Sequence, residues 1–176
     1  MERQGLVHIY CGDGKGKTTA SIGLIIRALG SGMKVVFLQF LKNSPTSELN
    51  ILSYLDNLTI LRGKQGNVFS FSMTDEEKRL STEIHNNNLK RAIEIAMSLQ
   101  CDMLVLDEVI GAYNRNLVDK DMLLEFLDRK PSTLEVVLTG RGPDANLTDR
   151  ADYISEIKKI KHPFDMGISA RVGIER

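Results

Sequence analysis

Short apolar runs alternate along this chain with longer stretches of helical period. Leu6 to Tyr10 is compact and apolar enough for a strand. From Thr18 onward, Ile22, Ile25, Ile26 and Leu29 share one helical face, and Gly30 reads as a stop. Lys34 to Phe40 (KVVFLQF) is β-branched and aromatic, a second strand. Leu58 to Leu61 makes a short third. Thr74 followed by Glu77 is a capping box, and it opens a long helix whose later apolar face is Leu89, Ala92, Ile93, Ala96 and Met97. The triplet Asn86-Asn87-Asn88 is a weak point where that helix is expected to bend or break. Met103 to Leu106 is a fourth strand and almost wholly apolar. Asp119 caps a helix that runs to Arg129 and ends before Pro131. Leu134 to Leu138 is a fifth strand, Asp144 to Ala151 a short helix, and Tyr153 to Ile160 a last strand. The stretches 41–50 and 62–73 read as long irregular loops, which in compact folds are often functional.

Strands that are apolar throughout are buried on both faces, as in parallel sheets. Their alternation with helices predicts a doubly wound, mainly parallel α/β fold of the phosphate-loop nucleotide-binding type. The length of 176 residues fits one domain over 1–176. Composition narrows the function. Lys+Arg and Asp+Glu number 23 each, so the net charge is zero, which argues against broad binding to nucleic acid or an anionic membrane. No apolar run is long enough to span a bilayer, and Met1-Glu2-Arg3-Gln4 has no signal core behind it. The two cysteines, Cys11 and Cys101, exclude a disulfide framework and a four-cysteine zinc site. These features predict a cytoplasmic enzyme or binding protein.

The chemistry begins between the first strand and the first helix, at Gly12-Asp13-Gly14-Lys15-Gly16-Lys17-Thr18-Thr19. A glycine-rich turn there points backbone N–H groups inward, and the helix N-terminus adds positive potential, so the segment predicts a phosphate cradle. Lys17 would neutralise phosphate charge and Thr18 would offer its hydroxyl to Mg²⁺. The usual first glycine is displaced: Cys11 stands in its place and glycines alternate at 12, 14 and 16. Asp13 is out of place in an anion site and either faces away or helps to hold the metal. Asp107 and Glu108 end the fourth strand, where such folds meet Mg²⁺ directly or through water; alone, the pair also reads as a solvated turn. Arg141, in Thr139-Gly140-Arg141-Gly142 after the fifth strand, lies where the carboxyl ends of parallel strands form the ligand crevice.

These pieces resemble the corrinoid adenosyltransferase family, the ATP:cob(I)alamin adenosyltransferases of bacterial cobalamin synthesis. The resemblance rests on the 12–19 loop, Val36 to Lys42 (VFLQFLK), Val105-Leu106-Asp107-Glu108, Val137 to Gly142 (VLTGRG), and Lys161-His162-Pro163-Phe164-Asp165 with Gly173-Ile174. The last piece discriminates most, because generic phosphate-loop proteins lack it. The resemblance implies that a reduced corrinoid, cobalamin or cobinamide, attacks C5′ of ATP and expels triphosphate. It also implies Mg²⁺, a reducing protein such as a flavodoxin, and a homodimer. Lys17, Glu108 and Arg141 would serve the leaving group, with Glu108 ahead of Asp107 as metal ligand. Phe69-Ser70-Phe71 matches an aromatic-x-aromatic element that displaces the lower axial ligand of the corrinoid; otherwise both rings plug the core. An ATP-hydrolysing regulatory module, in which Glu108 polarises water and ADP is the product, is the alternative. A nucleoside kinase of the thymidine type is a third reading, disfavoured because two cysteines cannot supply its zinc lasso.

Overall fold

The computed structural model describes residues 4–42, 46–63 and 73–175. Phe69 and Phe71 lie outside them. Six strands form one parallel sheet in the order β3-β2-β4-β5-β1-β6. They are β1 (Val7–Cys11), β2 (Val35–Gln39), β3 (Leu58–Arg62), β4 (Met103–Asp107), β5 (Glu135–Thr139) and β6 (Tyr153–Glu156). Central β2 and β4 are buried at every position, as their unbroken apolar sequences require. β1, nearer the edge, alternates buried and half-buried residues, and β6 at the edge is exposed throughout.

Helices cover both faces. On one face α1 (Lys17–Gly30) sets Ser21, Ile25 and Ala28 against β1, β4 and β5. Ile25, Ala28, Val35, Phe37, Met103, Val105 and Val137 form the core there. On the other face α3 (Asp75–Met97), α4 (Val109–Asn114) and α5 (Lys120–Arg129) enclose a larger core that includes Ile9, Leu38, Phe40, Leu89, Leu104, Leu106, Ile110 and Leu123. The doubly wound parallel α/β expectation holds.

The caps follow the sequence. Thr74 and Glu77 form the full capping box of α3, Asp119 accepts from Met122 N, and Asp144 accepts from Leu147 N. Elsewhere the structure corrects the expectations. α3 runs unbroken through Asn86-Asn87-Asn88: Leu89 beside them is fully buried, and Asn86 Oδ1 accepts the Asp119 N–H at 2.7 Å. Tertiary contacts there outweigh weak helix propensity. The last strand stops at Glu156 instead of Ile160, because the chain leaves the sheet to cross the loop after β1. Three short elements were not foreseen: α2 (Leu49–Leu52), α4, and a 3₁₀ turn at Pro163–Met166. The final helix, α6, covers Ala145–Thr148 only. Among the described residues, no helix is long and apolar enough to cross a membrane.

Candidate active site

The register of the sheet brings the chemistry together. Gln39 is level with Asp107, and Tyr10 with Thr139, so the carboxyl ends of β1, β2, β4 and β5 open at one height. A cavity of about 1080 Å³ opens there. Its polar side is the 13–19 segment with Lys42, Glu108 and Arg141; its other wall is the C-terminal segment, including Phe164, Ile168 and Ile174. That volume is just above the usual range for small-molecule sites.

Lys17, the first residue of α1, is buried, and its Nζ donates to the carbonyl of Gly14 at 2.7 Å. Burial pushes its pKa below the ordinary lysine value, the nearby Arg141 guanidinium adds to this, and Glu108 and Asp13 oppose it. Lys17 and Arg141 therefore repel each other in one cavity, and an anion between them would relieve the repulsion. Lys15, Gly16 and Thr19 also line the cavity.

Thr18 Oγ1 donates to Asp107 Oδ1 at 2.9 Å, and Thr139 Oγ1 donates to the same oxygen at 2.8 Å. Lys42 Nζ donates to Asp107 Oδ2 at 2.6 Å and to Thr18 Oγ1 at 3.0 Å. Gln39 Nε2 adds a longer bond to Asp107 Oδ2 at 3.4 Å. Asp107 is fully buried, so it anchors the network from behind, whereas Glu108 stands in the cavity wall. Glu108 has φ 61° and ψ 18°, the left-handed region, which strains a non-glycine residue by about 1–3 kcal/mol. Its N–H is held by Thr139 Oγ1 at 2.8 Å. Arg141 is exposed in the cavity, and its carbonyl accepts from Asn114 Nδ2 at 3.0 Å. Asp13 lines the cavity as well, and its Oδ1 accepts the Lys159 N–H at 2.9 Å.

Thus Asp13, Lys15, Lys17, Thr18, Thr19, Glu108 and Arg141 share one cavity, Asp107 lies behind it, and the Asp13 carboxylate also bonds to the C-terminal segment. Lys42, Gln39 and Thr139 bond to Asp107 in this network, and none of them carries a role in the sequence reading. The signal was present: each stands at or just past the carboxyl end of a parallel strand.

The donor chemistry suits a hard cation. Thr18 offers a hydroxyl and Glu108 a carboxylate, and Gln39 Oε1 beside Asp107 is a buried acceptor with no partner. Among the described residues, no group of three or more His, Cys, Asp or Glu forms a metal cage. A cation here would share its coordination with phosphate oxygens, the habit of Mg²⁺.

The model of the protein family described as ATP:corrinoid adenosyltransferase BtuR/CobO/CobP matches residues 3–176. The chain belongs to that family. The corrinoid adenosyltransferase of Escherichia coli (strain K12) is 29% identical over 178 residues, covering 99% of this chain and 87% of that protein. The corrinoid adenosyltransferase of a Sinorhizobium species is 31% identical over 176 residues, covering 99% of this chain and 81% of that protein. A KaiC-like protein of Pyrococcus horikoshii OT3 superposes with a TM-score of 0.57 at 17% identity, covering 89% of this chain and 74% of that one. That likeness concerns the fold alone. ATP:corrinoid adenosyltransferases are enzymes whose substrates are ATP and a corrinoid.

Proposed function

We propose that this chain transfers the 5′-deoxyadenosyl group of ATP to the Co(I) of a corrinoid, cobalamin or cobinamide, and releases triphosphate. The observation that carries this reading is the convergence of Lys17 and Arg141 on a cavity that also holds Glu108 and the Thr18 hydroxyl. Co(I) supplies an electron pair to C5′, forming the cobalt–carbon bond. The C5′–O5′ bond breaks, its pair leaves on triphosphate, and the cobalt becomes Co(III). No protein base is needed, because the nucleophile carries no proton.

The protein's tasks are then positioning and charge stabilisation. Lys17, released from the Gly14 carbonyl, and Arg141 neutralise the leaving triphosphate. Backbone N–H groups from Lys15 to Thr19 cradle its oxygens. Thr18 and Glu108 would hold Mg²⁺, which when bound offsets phosphate charge. Asp107 and Thr139 keep the Thr18 hydroxyl in place. Phe69 and Phe71 are proposed to displace the lower axial ligand before cobalt is reduced. A flavodoxin-like protein would supply the electron, and the working unit would be a homodimer in the cytoplasm.

The test is the nucleotide product. Protein, Mg-ATP and chemically reduced cobalamin should yield triphosphate and adenosylated corrinoid in equal amounts. ADP and phosphate, with no adenosylated corrinoid, would overturn the reading in favour of an ATP-hydrolysing module.

A further inference from the structure

Beyond Glu156 the chain crosses the phosphate loop and bonds to it. Ile157 N donates to the Cys11 carbonyl at 2.8 Å, and Gly14 N donates to the Ile157 carbonyl at 2.8 Å. The approach is as close as glycine permits. A Cβ at Gly12 would stand 2.4 Å from the Ile157 oxygen, and one at Gly14 would stand 2.7 Å from it. Between these glycines, the Asp13 carboxylate accepts the Lys159 N–H at 2.9 Å. This bond is the main reason that the Asp13 carboxyl lies below the usual carboxylate range.

The segment so attached becomes a cavity wall. Lys159 Nζ pairs with Asp165 at 3.1 Å, the 3₁₀ turn follows, and Arg171 pairs with Glu175 at 2.8 Å. These bonds tie the segment to itself. Phe164, Ile168 and Ile174 are exposed yet line the cavity opposite the loop, so little core packing holds them there. A ligand in the cavity touches loop and segment together.

We propose that Asp13 is a positioning residue that pins the C-terminal segment 157–175 to the phosphate loop, so that the segment is ordered jointly with bound nucleotide. The coupling to nucleotide rests on the ATP reading above; the pin itself does not. The two functions of Gly12-Asp13-Gly14 then separate. The glycines admit the crossing backbone, and the aspartate between them holds it, while phosphate is left to the residues from Lys15 onward. Gly14 cannot offer its N–H to phosphate while Ile157 holds it, so loop shape and segment position change together.

Trypsin reads the segment directly, since Lys158, Lys159, Lys161 and Arg171 lie in it. The full-length protein, Asp13→Ala and Asp13→Asn are digested in EDTA, with release of the C-terminal fragment followed by mass spectrometry. Asp13→Ala should be cut in the segment about 3–10 times faster, the range for one exposed charge-assisted hydrogen bond. Asp13→Asn keeps an acceptor oxygen and should stay within about twofold of the parent rate, as a neutral acceptor retains part of the bond. Melting temperatures should not differ, because the substitution is on the surface. Mg-ATP should slow cleavage of the parent, and its Kd should rise in Asp13→Ala by about the factor seen in cleavage, because the ligand must then order the wall itself. Parent-like cleavage of Asp13→Ala, or Asp13→Asn cut as fast as Asp13→Ala, overturns the pin. Failure of the parent to bind ATP overturns the nucleotide reading alone, and the ratios in EDTA still decide the pin.

Discussion

Lys17 carries a charge that the free fold disfavours and a bound anion would favour. Its pKa lies below the ordinary lysine value of 10.5, chiefly through burial and then through Arg141. In the free protein the charge therefore weighs against folding at neutral pH, and weighs less as pH rises through the window between the lowered value and 10.5. Binding has the opposite sign, because triphosphate stabilises the protonated amine. ATP affinity, measured by titration from neutral to alkaline pH, should begin to fall below the pH at which an ordinary lysine loses its proton. Lys17→Arg, whose guanidinium stays charged, should move that fall to higher pH. An unchanged profile in Lys17→Arg would assign the titration to another group. Lys42 poses a different question, since its Nζ is 2.6 Å from the fully buried Asp107. Removing it leaves a buried carboxylate without its countercharge. With a discount for the partial exposure of Lys42, Lys42→Met should destabilise the fold by about 1–3 kcal/mol. Lys42→Met with Asp107→Asn removes both charges and should recover most of that loss. Thermal unfolding of the two variants checks the pair, and an unshifted single variant would show that Thr18, Thr139 and Gln39 satisfy Asp107 by themselves.

The element that aims Arg141 is the junction of β5 with α4. Gly140 has φ 148°, and a Cβ there would stand 2.7 Å from Ile110 Cβ and 3.0 Å from Gly111 N. Both groups belong to α4, whose residues Val109 to Tyr113 are all buried and cannot retreat. Gly140→Ala should destabilise by about 1–3 kcal/mol through overpacking and backbone strain, and should weaken ATP binding by turning the Arg141 loop outward. Melting and ATP titration measure both, and a variant with parent-like values in each would remove α4 from any part in aiming Arg141. α4 also shows where sequence reading stops. Its six residues VIGAYN are too few for helical period to register, and it opens from left-handed Glu108, which no propensity favours. By contrast β2 and β4 were legible because burial on both faces demands unbroken apolar runs, and the α3 start was legible because Thr74 and Glu77 satisfy each other locally. The unbroken passage of α3 through three asparagines was not, since it depends on Asp119, far along the chain. The loop at 12–19 and Arg141 were likewise visible as motifs. The Lys42 contact to Asp107 joins residues 65 apart in sequence, and only the β2–β4 register brings them together.

At the scale of the molecule, the groups proposed to meet triphosphate and the Asp107 network behind them hang from the carboxyl ends of four strands. Lys17 and Thr18 follow β1, Lys42 follows β2, Asp107 ends β4 with Glu108 just after it, and Arg141 follows β5. An anion bound there ties four strand ends across the most buried part of the sheet, so its binding energy must appear as global stability. At a ligand concentration of 100 Kd the linkage is about 2.7 kcal/mol, which for a chain of this length is about 5–10 °C in Tm. ATP with Mg²⁺ should therefore raise Tm by that order. The polyphosphate carries most of the charge that Lys17 and Arg141 lack, so inorganic triphosphate should retain most of the shift, and adenosine at equal concentration should give little. The comparison separates the two sides of the cavity, because adenosine can reach the apolar wall of Phe164, Ile168 and Ile174 but has nothing for the loop. A shift given by adenosine and withheld by triphosphate would mean that the apolar wall dominates binding and that the glycine-rich turn is not a phosphate cradle. A shift given by triphosphate in the parent and lost in Lys17→Ala would place the anion at the start of α1, where desolvation has already prepared the lysine to receive it.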